Sequence, residues 1–67
     1  MNTIDLEKKM LDCRIKDIQL IKALQISPSA YYRKKRGETE FTRPEIQTMI
    51  SELMLNSAET MDIFFSD

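Results

Sequence analysis

The chain is poor in the residues that build covalent links and metal sites. It has 67 residues, with a single cysteine and no histidine. One cysteine cannot form an internal disulfide, and without histidine a zinc site or a histidine-based catalytic triad cannot be assembled. A core this small also leaves little room for an enclosed substrate pocket. We therefore expect neither an enzyme nor a cofactor or metal.

Long hydrophobic stretches are absent as well. The longest apolar runs are three residues, as in Leu53-Met54-Leu55 and Ile63-Phe64-Phe65. Runs this short exclude a signal peptide and a membrane span, so we expect a cytoplasmic protein with no membrane partner. A chain of this length is expected to form one domain, residues 1–67, whose stability depends on apolar packing.

Charge is unevenly distributed along the chain, although the net charge is only −1. Residues 14–36 contain seven basic residues and one acid, Asp17, whereas residues 37–67 contain seven acids and one basic residue, Arg43. Because a polyanion senses the local field, the acidic pI does not exclude nucleic acid as a partner. The alternative is that Arg33–Arg36 form a solvated helix end, favoured there by the helix dipole.

The spacing of apolar residues predicts about five short helices and no strands. The first helix covers about residues 4–13, with Thr3 as its cap, and the second covers about residues 17–24. The third begins at Ser27-Pro28 and ends at Gly37, because serine caps a helix, proline suits the first turn, and glycine accepts the left-handed conformation that follows the last turn.

Two further helices follow the short loop at residues 38–41. Thr42-Arg43-Pro44-Glu45 is typical of a capping box, and Asn56-Ser57 separates the fourth helix from a fifth that Ser57 would cap. The residues predicted to face the core are Leu6, Met10, Cys13, Ile18, Leu20, Ile21, Leu24, Ile46, Met49, Ile50, Leu53, Ala58, Met61, Phe64 and Phe65. At least one of the two closing phenylalanines is expected to dock on the bundle, and one left outside would supply a two-fold contact.

Residues 16–37 carry the strongest functional indication. An apolar helical pattern ends at Leu24, a Gln25-Ile26-Ser27 turn follows, and a second helix then runs into four consecutive basic residues. Two short helices joined by a tight turn, with positive charge on the second, are the layout of a DNA-binding helix-turn-helix. The sequence therefore predicts an all-α, compact bundle of about five short helices that contains a helix-turn-helix.

The order of residues in this segment resembles the Cro/CI-type (XRE-like) helix-turn-helix family of phage and bacterial regulators. The matching positions are Ile15, Leu20, Leu24, Ile26, Ser27 and Tyr31. Similarity to small phage regulators of Gram-positive bacteria extends through Phe41-Thr42, Glu45-Ile46, Leu53, Ala58-Glu59 and Ile63-Phe64-Phe65. The resemblance covers most of the chain, and it implies a lambda-repressor-like fold.

Several positions depart from the family pattern. Asp17 stands where many relatives carry a phosphate-binding glutamine, and its charge would repel the DNA backbone. Ile21 replaces a small alanine at the crossing of the two helices, and Gln25 replaces the turn glycine, which predicts an unfavourable backbone conformation. Glu38 and Glu40 add negative charge after the third helix. The acids favour an alternative function, a helix-turn-helix-fold module that binds a partner repressor protein.

Candidate DNA contacts follow from placing the third helix in the major groove. Ser29, Tyr32 and Arg33 are the base-contact candidates, with Arg33 favoured because a guanidinium forms a bidentate pair with guanine. The alternative for Tyr32 is a half-exposed ring that packs against its neighbours. The candidates for contact with the DNA backbone are Lys16, Ser27, Pro28, Lys34, Lys35, Arg36 and Arg43.

The function expected from these features is sequence-specific binding of double-stranded DNA. The resemblance implies a Cro-like or repressor-like transcriptional regulator from a temperate phage or prophage. A homodimer on a pseudo-palindromic operator is expected, because a single small domain contacts only one half-site.

Overall fold

Five α-helices and the turns between them account for residues 1–65, the part of the chain that this computed structural model describes. The helices are α1 (Thr3–Cys13), α2 (Asp17–Leu24), α3 (Pro28–Lys35), α4 (Arg43–Leu53) and α5 (Ser57–Phe64). The described residues contain no strand, so the predicted all-α class with about five short helices is confirmed. None of their helices is long and apolar enough to cross a membrane.

Two of the predicted helix caps are confirmed. The Ser27 hydroxyl accepts a hydrogen bond from the backbone N–H of Ala30 at 3.1 Å, which begins α3. At the start of α4, the Glu45 carboxylate accepts from the Thr42 amide at 2.8 Å, and the Thr42 hydroxyl accepts from the Glu45 amide. These side chains satisfy backbone donors that have no partner within the first turn of a helix.

Two other caps lie one residue earlier than predicted. Asn2, rather than Thr3, accepts from the Asp5 amide, and Asn56, rather than Ser57, accepts from the amide three residues ahead of it in α5. An asparagine precedes the hydroxyl residue at both places, and its side-chain carbonyl is as good a capping acceptor as a hydroxyl. Each of these two helices therefore begins directly after its asparagine cap.

The turn residues that end α2 and α3 differ in their conformational cost. Gln25 has φ 58° and ψ 41°, so the unfavourable left-handed conformation predicted for it is confirmed. Gly37 takes φ +87° without a side-chain penalty, as predicted. Its N–H donates to the Lys34 carbonyl and the N–H of Glu38 donates to the Arg33 carbonyl at 2.9 Å, which together close the last turn of α3 in a Schellman motif.

The core is built from one face of each helix and from two connecting segments. Its buried residues are Leu6, Met10, Leu20, Ile21, Leu24, Tyr31, Phe41, Met49, Leu53, Leu55 and Ile63. Cys13, Ile46, Ile50 and Phe64 are half-buried against them, so these four predicted core positions are confirmed in part. Phe64 packs edge-on against Phe41 with ring centroids 5.9 Å apart, whereas Phe65 is exposed.

Besides the exposed Phe65, three residues predicted to face the core do not. Ile18 is 54% exposed, because Leu20, Ile21 and Leu24 occupy the inner face of α2 and leave Ile18 to one side. Met61 and Ala58 are exposed on α5, where Ile63 takes the buried position instead. The periodic pattern identified the helices correctly but could not fix their rotation.

The packing order places α3 at one side of the bundle. α2 packs against both α3 and α4, and α1 packs against α4 and α5. Only Tyr31 and Lys35 of α3 are buried, although α3 has eight residues. Most of its surface is therefore available to solvent.

Candidate nucleic-acid interface

The outward side of α3 gathers the three residues predicted to contact bases. Ser29, Tyr32, Arg33 and Arg36 have the spacing i, i+3, i+4 and i+7, which puts them on one side of a helix. All four are exposed, and together with Pro28 they line one shallow surface depression. We call these four residues the outer face of α3.

Of the two arginines on this face, Arg33 has the charge that is less compensated by acids. Its Nε donates to the Ser29 carbonyl at 3.5 Å, a contact within the helix, and it belongs to no ion pair in residues 1–65. A guanidinium in this state keeps most of its planar set of donors for a ligand that accepts two hydrogen bonds.

Tyr32 lies where the outer face meets the core. The residue is 40% exposed, and its ring meets the buried ring of Tyr31 edge-on, with centroids 5.2 Å apart. The alternative foreseen for Tyr32, packing against its neighbours, therefore describes one part of the ring. The exposed part stays on the outer face beside Arg33.

The four consecutive cations of Arg33–Arg36 have different environments. Successive helical residues are rotated by about 100°, so a run of four points in every direction around α3. Lys34 Nζ lies 2.9 Å from Glu45 Oε1 of α4 and also donates to the Glu40 carbonyl at 3.3 Å. Arg36 Nε lies 2.6 Å from Glu38 Oε2. Acidic neighbours thus offset much of the charge that the sequence concentrates here.

Lys35 does not fit the phosphate-contact role predicted for it. The residue is 9% exposed, and its ammonium contacts Asp17 Oδ1 at 2.9 Å and the carboxylate of Glu7. Its position one third of a turn from Lys34 directs it between α1 and α2. Lys34, with its side chain 15% exposed, is also largely withdrawn. Neither ammonium is free for a nucleic-acid phosphate.

The structure gives Asp17 a different role from the repulsion expected of it. Its Oδ1 accepts a hydrogen bond from the Tyr31 hydroxyl at 2.6 Å and another from Lys35 at 2.9 Å. The four residues Glu7, Asp17, Tyr31 and Lys35 thus join α1, α2 and α3, and we call them the inner anchor. This group was not predicted from the sequence, because its members are separated by up to 28 positions and share no periodic pattern.

Protonation equilibria reflect these contacts. Partial burial alone would raise the pKa of Asp17, but the hydrogen bonds from Tyr31 and Lys35 and the ammonium charge outweigh it, so this pKa is lowered. Burial would lower the pKa of Lys35, and the two carboxylates outweigh it, so that pKa is raised. Burial raises the pKa of Tyr31, and the bond to Asp17 raises it further. Asp17 and Lys35 are therefore charged at neutral pH, and the Tyr31 phenol between them is neutral.

The remaining backbone-contact candidates lie at the beginnings of helices. Lys16 precedes α2, Ser27 and Pro28 begin α3, and Arg43 begins α4. All four are exposed, and neither Lys16 nor Arg43 forms an ion pair within the described chain. Helix beginnings present backbone N–H groups and a positive dipole end, which favour anions.

Two exposed cations of the basic stretch at residues 14–36 were not among the sequence-predicted contacts. Arg14 follows α1 and Lys22 lies on α2, and within residues 1–65 neither is in an ion pair. Both belong to the basic stretch of residues 14–36, so the charge count was the signal that included them. The exposed cations of this stretch therefore include residues outside α3.

Comparisons with protein-family models, with curated proteins and with solved structures gave no match for this chain.

Proposed function

We propose that this protein binds double-stranded DNA sequence-specifically, with α2, the turn at residues 25–27 and α3 acting as a helix-turn-helix. The observation that carries the proposal is the outer face of α3, where Arg33 is exposed and unpaired in the described chain beside Ser29 and Tyr32. An eight-residue helix that exposes such a face fits a major groove, which admits one α-helix.

Base contacts in this arrangement come from the outer face. Arg33 donates two hydrogen bonds to guanine O6 and N7, Ser29 contacts a neighbouring base edge, and Tyr32 packs on a thymine methyl or donates to phosphate. The backbone is contacted by Lys16, Ser27, Pro28, Arg36 and Arg43. Lys34 and Lys35 are left out because their ammonium groups are paired and largely buried, whereas the side chain of Arg36 stays 60% exposed beside Glu38.

The regulatory role rests on the resemblance to Cro/CI-type regulators. In this proposal the protein is a Cro-like or repressor-like transcriptional regulator of a temperate phage or prophage, and it acts in the cytoplasm without catalysis. It binds as a homodimer on a pseudo-palindromic operator with half-sites about one helical turn apart. Exposed Phe65, which is 58% accessible, supplies an apolar group for the two-fold contact.

Selection from randomised duplexes with the full-length protein tests the proposal. We expect enrichment of two symmetric half-sites and a binding constant that falls steeply with salt, since each phosphate contact releases counterions. Sedimentation of the complex should give two protomers per site. Absence of any duplex binding at low salt would contradict the proposal.

One observation favours a second candidate, a module that binds a partner repressor protein. Acids pair with Lys34, Lys35 and Arg36 and so reduce the positive charge of α3. Less positive charge lowers affinity for any polyanion, whereas alternating charges suit a protein surface of complementary pattern. Under this candidate, Arg33→Ala abolishes binding of the purified repressor of the same prophage, and duplex selection yields no enriched sequence.

A further inference from the structure

We infer that the inner anchor of Glu7, Asp17, Tyr31 and Lys35 positions α3 for base reading and makes no DNA contact itself. The inference rests on the proposed function, which it deepens by assigning the orientation of the reading helix to named residues. Under this inference, Lys35 does not bind the DNA backbone and Asp17 does not repel it, although their charges suggest those roles.

The first argument is that α3 is held from several directions by polar contacts. Asp17 at the start of α2 accepts from both Tyr31 and Lys35, and Glu7 of α1 contacts Lys35 from another direction. The Thr3 hydroxyl donates to the Lys35 carbonyl at 3.2 Å. Because these partners belong to two different helices, rotation of α3 about its axis breaks at least one contact.

The second argument is the relation between the inner anchor and the outer face. Tyr31 and Lys35 are one helical turn apart and buried, and they lie on the side of α3 opposite Ser29, Arg33 and Arg36. Fixing one side of a helix fixes the direction of the other. The edge-on contact between Tyr31 and Tyr32 links the two sides directly.

The third argument is that apolar packing alone specifies the rotation of α3 poorly. Tyr31 is the only fully buried apolar residue that α3 contributes to the core, whereas α2 contributes Leu20, Ile21 and Leu24. A helix with one apolar contact point can pivot about it. The directed hydrogen bonds from Tyr31 and Lys35 to one carboxylate oxygen restrict that pivot.

A first experiment needs no DNA. Tyr31→Phe keeps the buried ring and removes only its hydroxyl, so the variant is expected to fold. In two-dimensional ¹H–¹⁵N NMR spectra we expect the amide signals of the outer face to shift along with those around Asp17, while signals of α5 stay in place. The matched control is Tyr32→Phe, which removes a hydroxyl that takes no part in the inner anchor. Arg36 lies on the outer face but five positions from residue 31. An unshifted Arg36 amide, with shifts confined to residues within one turn of position 31, would overturn the inference.

A second experiment separates a positioning lysine from a phosphate-binding one. Lys35→Met keeps the apolar stem and removes the charge. We expect it to reduce the ratio of affinities for the preferred and a scrambled duplex by about tenfold, the loss of one aimed base contact, without changing the salt dependence of binding. Lys16→Met, the control at an exposed lysine, should make the negative slope of log K against log salt shallower by about one and leave that ratio unchanged.

Failure of the inference and failure of the proposed function give different results. If Lys35→Met weakens the salt dependence of binding as Lys16→Met does, Lys35 binds phosphate and the inference is wrong. If Lys35→Met does not fold, Tyr31→Phe replaces it, with an expected loss of about threefold in discrimination, and unchanged discrimination overturns the inference. If the wild-type protein binds no duplex, the proposed function fails, and the NMR shifts decide whether the inner anchor sets the direction of the outer face.

Discussion

The basic residues of α3 have opposite environments on its two sides. On the outer face, Arg33 is exposed and has no ion-pair partner in the described chain, so its charge is available to a ligand. On the inner side, Lys35 is buried between two carboxylates and holds α3 to α1 and α2. Two residues of like charge, two positions apart, therefore have different environments because a helix turns about 200° between them.

This difference shows that a run of charged residues in a sequence does not by itself indicate a binding site. Counting cations along Arg33–Arg36 predicts a strong site for phosphate, whereas the paired state of each side chain decides how much charge reaches solvent. Glu38, one of the acids expected to oppose DNA binding, is the partner of Arg36, and Glu45 of the predicted capping box is the partner of Lys34. Four sets of variants test this contrast between the two sides of α3, and their expected effects decrease in the order given.

The largest difference is expected between two adjacent tyrosines. Tyr31→Ala removes a fully buried ring and should lower the free energy of unfolding by about 3–5 kcal/mol, as for other buried aromatic residues. Tyr32→Ala, its control on the outer face, removes a 40% exposed ring and should cost roughly 1 kcal/mol through the lost edge-on contact. Urea denaturation followed by circular dichroism measures both. Equal losses would show that the two rings are not on different sides of α3.

The second effect concerns base reading by the outer face. Arg33→Ala should weaken binding to the preferred duplex by about 1–3 kcal/mol and relax specificity at one position in each half-site. Arg36→Ala removes the same charge from the same face, and it should weaken binding about equally on all sequences. Selection from randomised duplexes with each variant measures this. Unchanged sequence preference in the Arg33 variant would mean that Arg33 reads no base.

The third effect is a pH dependence that arises from the inner anchor. Asp17→Asn keeps an oxygen acceptor but removes the charge, and it should lower the free energy of unfolding by about 1 kcal/mol at neutral pH. Hydrogen bonds lower the pKa of Asp17 in the folded protein, so its charged state stabilises the fold above the ordinary value of 3.8. That stabilisation is lost as pH falls through the lower folded value, where wild type and variant should become equally stable.

Chemical denaturation between pH 7 and pH 2 measures this convergence. The Glu45 carboxyl, whose pKa is also lowered by its hydrogen bonds and by Lys34 despite partial burial, is present in both proteins and contributes equally. A difference in stability that persists unchanged to pH 2 would exclude a charged Asp17 as its source.

The smallest effect is an increase in affinity. Glu38→Gln breaks the ion pair with Arg36, in which both side chains are more than half exposed. Such a surface pair contributes less than about 1 kcal/mol, so releasing Arg36 should raise the affinity for any duplex about twofold to threefold. Glu40→Gln is the control, because it makes the same charge change in the same loop while its carboxylate pairs with no cation in residues 1–65. Equal increases in affinity in both variants would show that the effect comes from the overall charge of the protein and not from the release of Arg36.

Local signals made most of the fold predictable. Ser27, Pro28 and Gly37 define α3, and Thr42 with Glu45 defines the start of α4, because caps act within three or four residues. The apolar stripe of α4 also holds, with Met49 and Leu53 buried. Local periodicity did not fix the rotation of α2 and α5, since Ile18 and Met61 satisfy the same helical spacing as their buried neighbours.

The candidate site was predictable in its outer face and not in its inner side. Ser29, Tyr32 and Arg33 share one helix, so their spacing sufficed to group them. Lys35 meets Asp17 across 18 positions of sequence, a distance at which no periodic rule applies. Its pairing required the packing of α3 against α2.

Sequence alone specifies the local features of this protein: five short helices, most of their limits, the left-handed turn at Gln25 and the grouping of residues on one side of α3. These depend on backbone geometry and on contacts within a few residues. The pairing of Lys34 and Lys35 follows instead from the packing of the helices. Their acidic partners belong to α1, α2 and α4, and ion pairing depends on distances in space that a one-dimensional charge pattern does not contain.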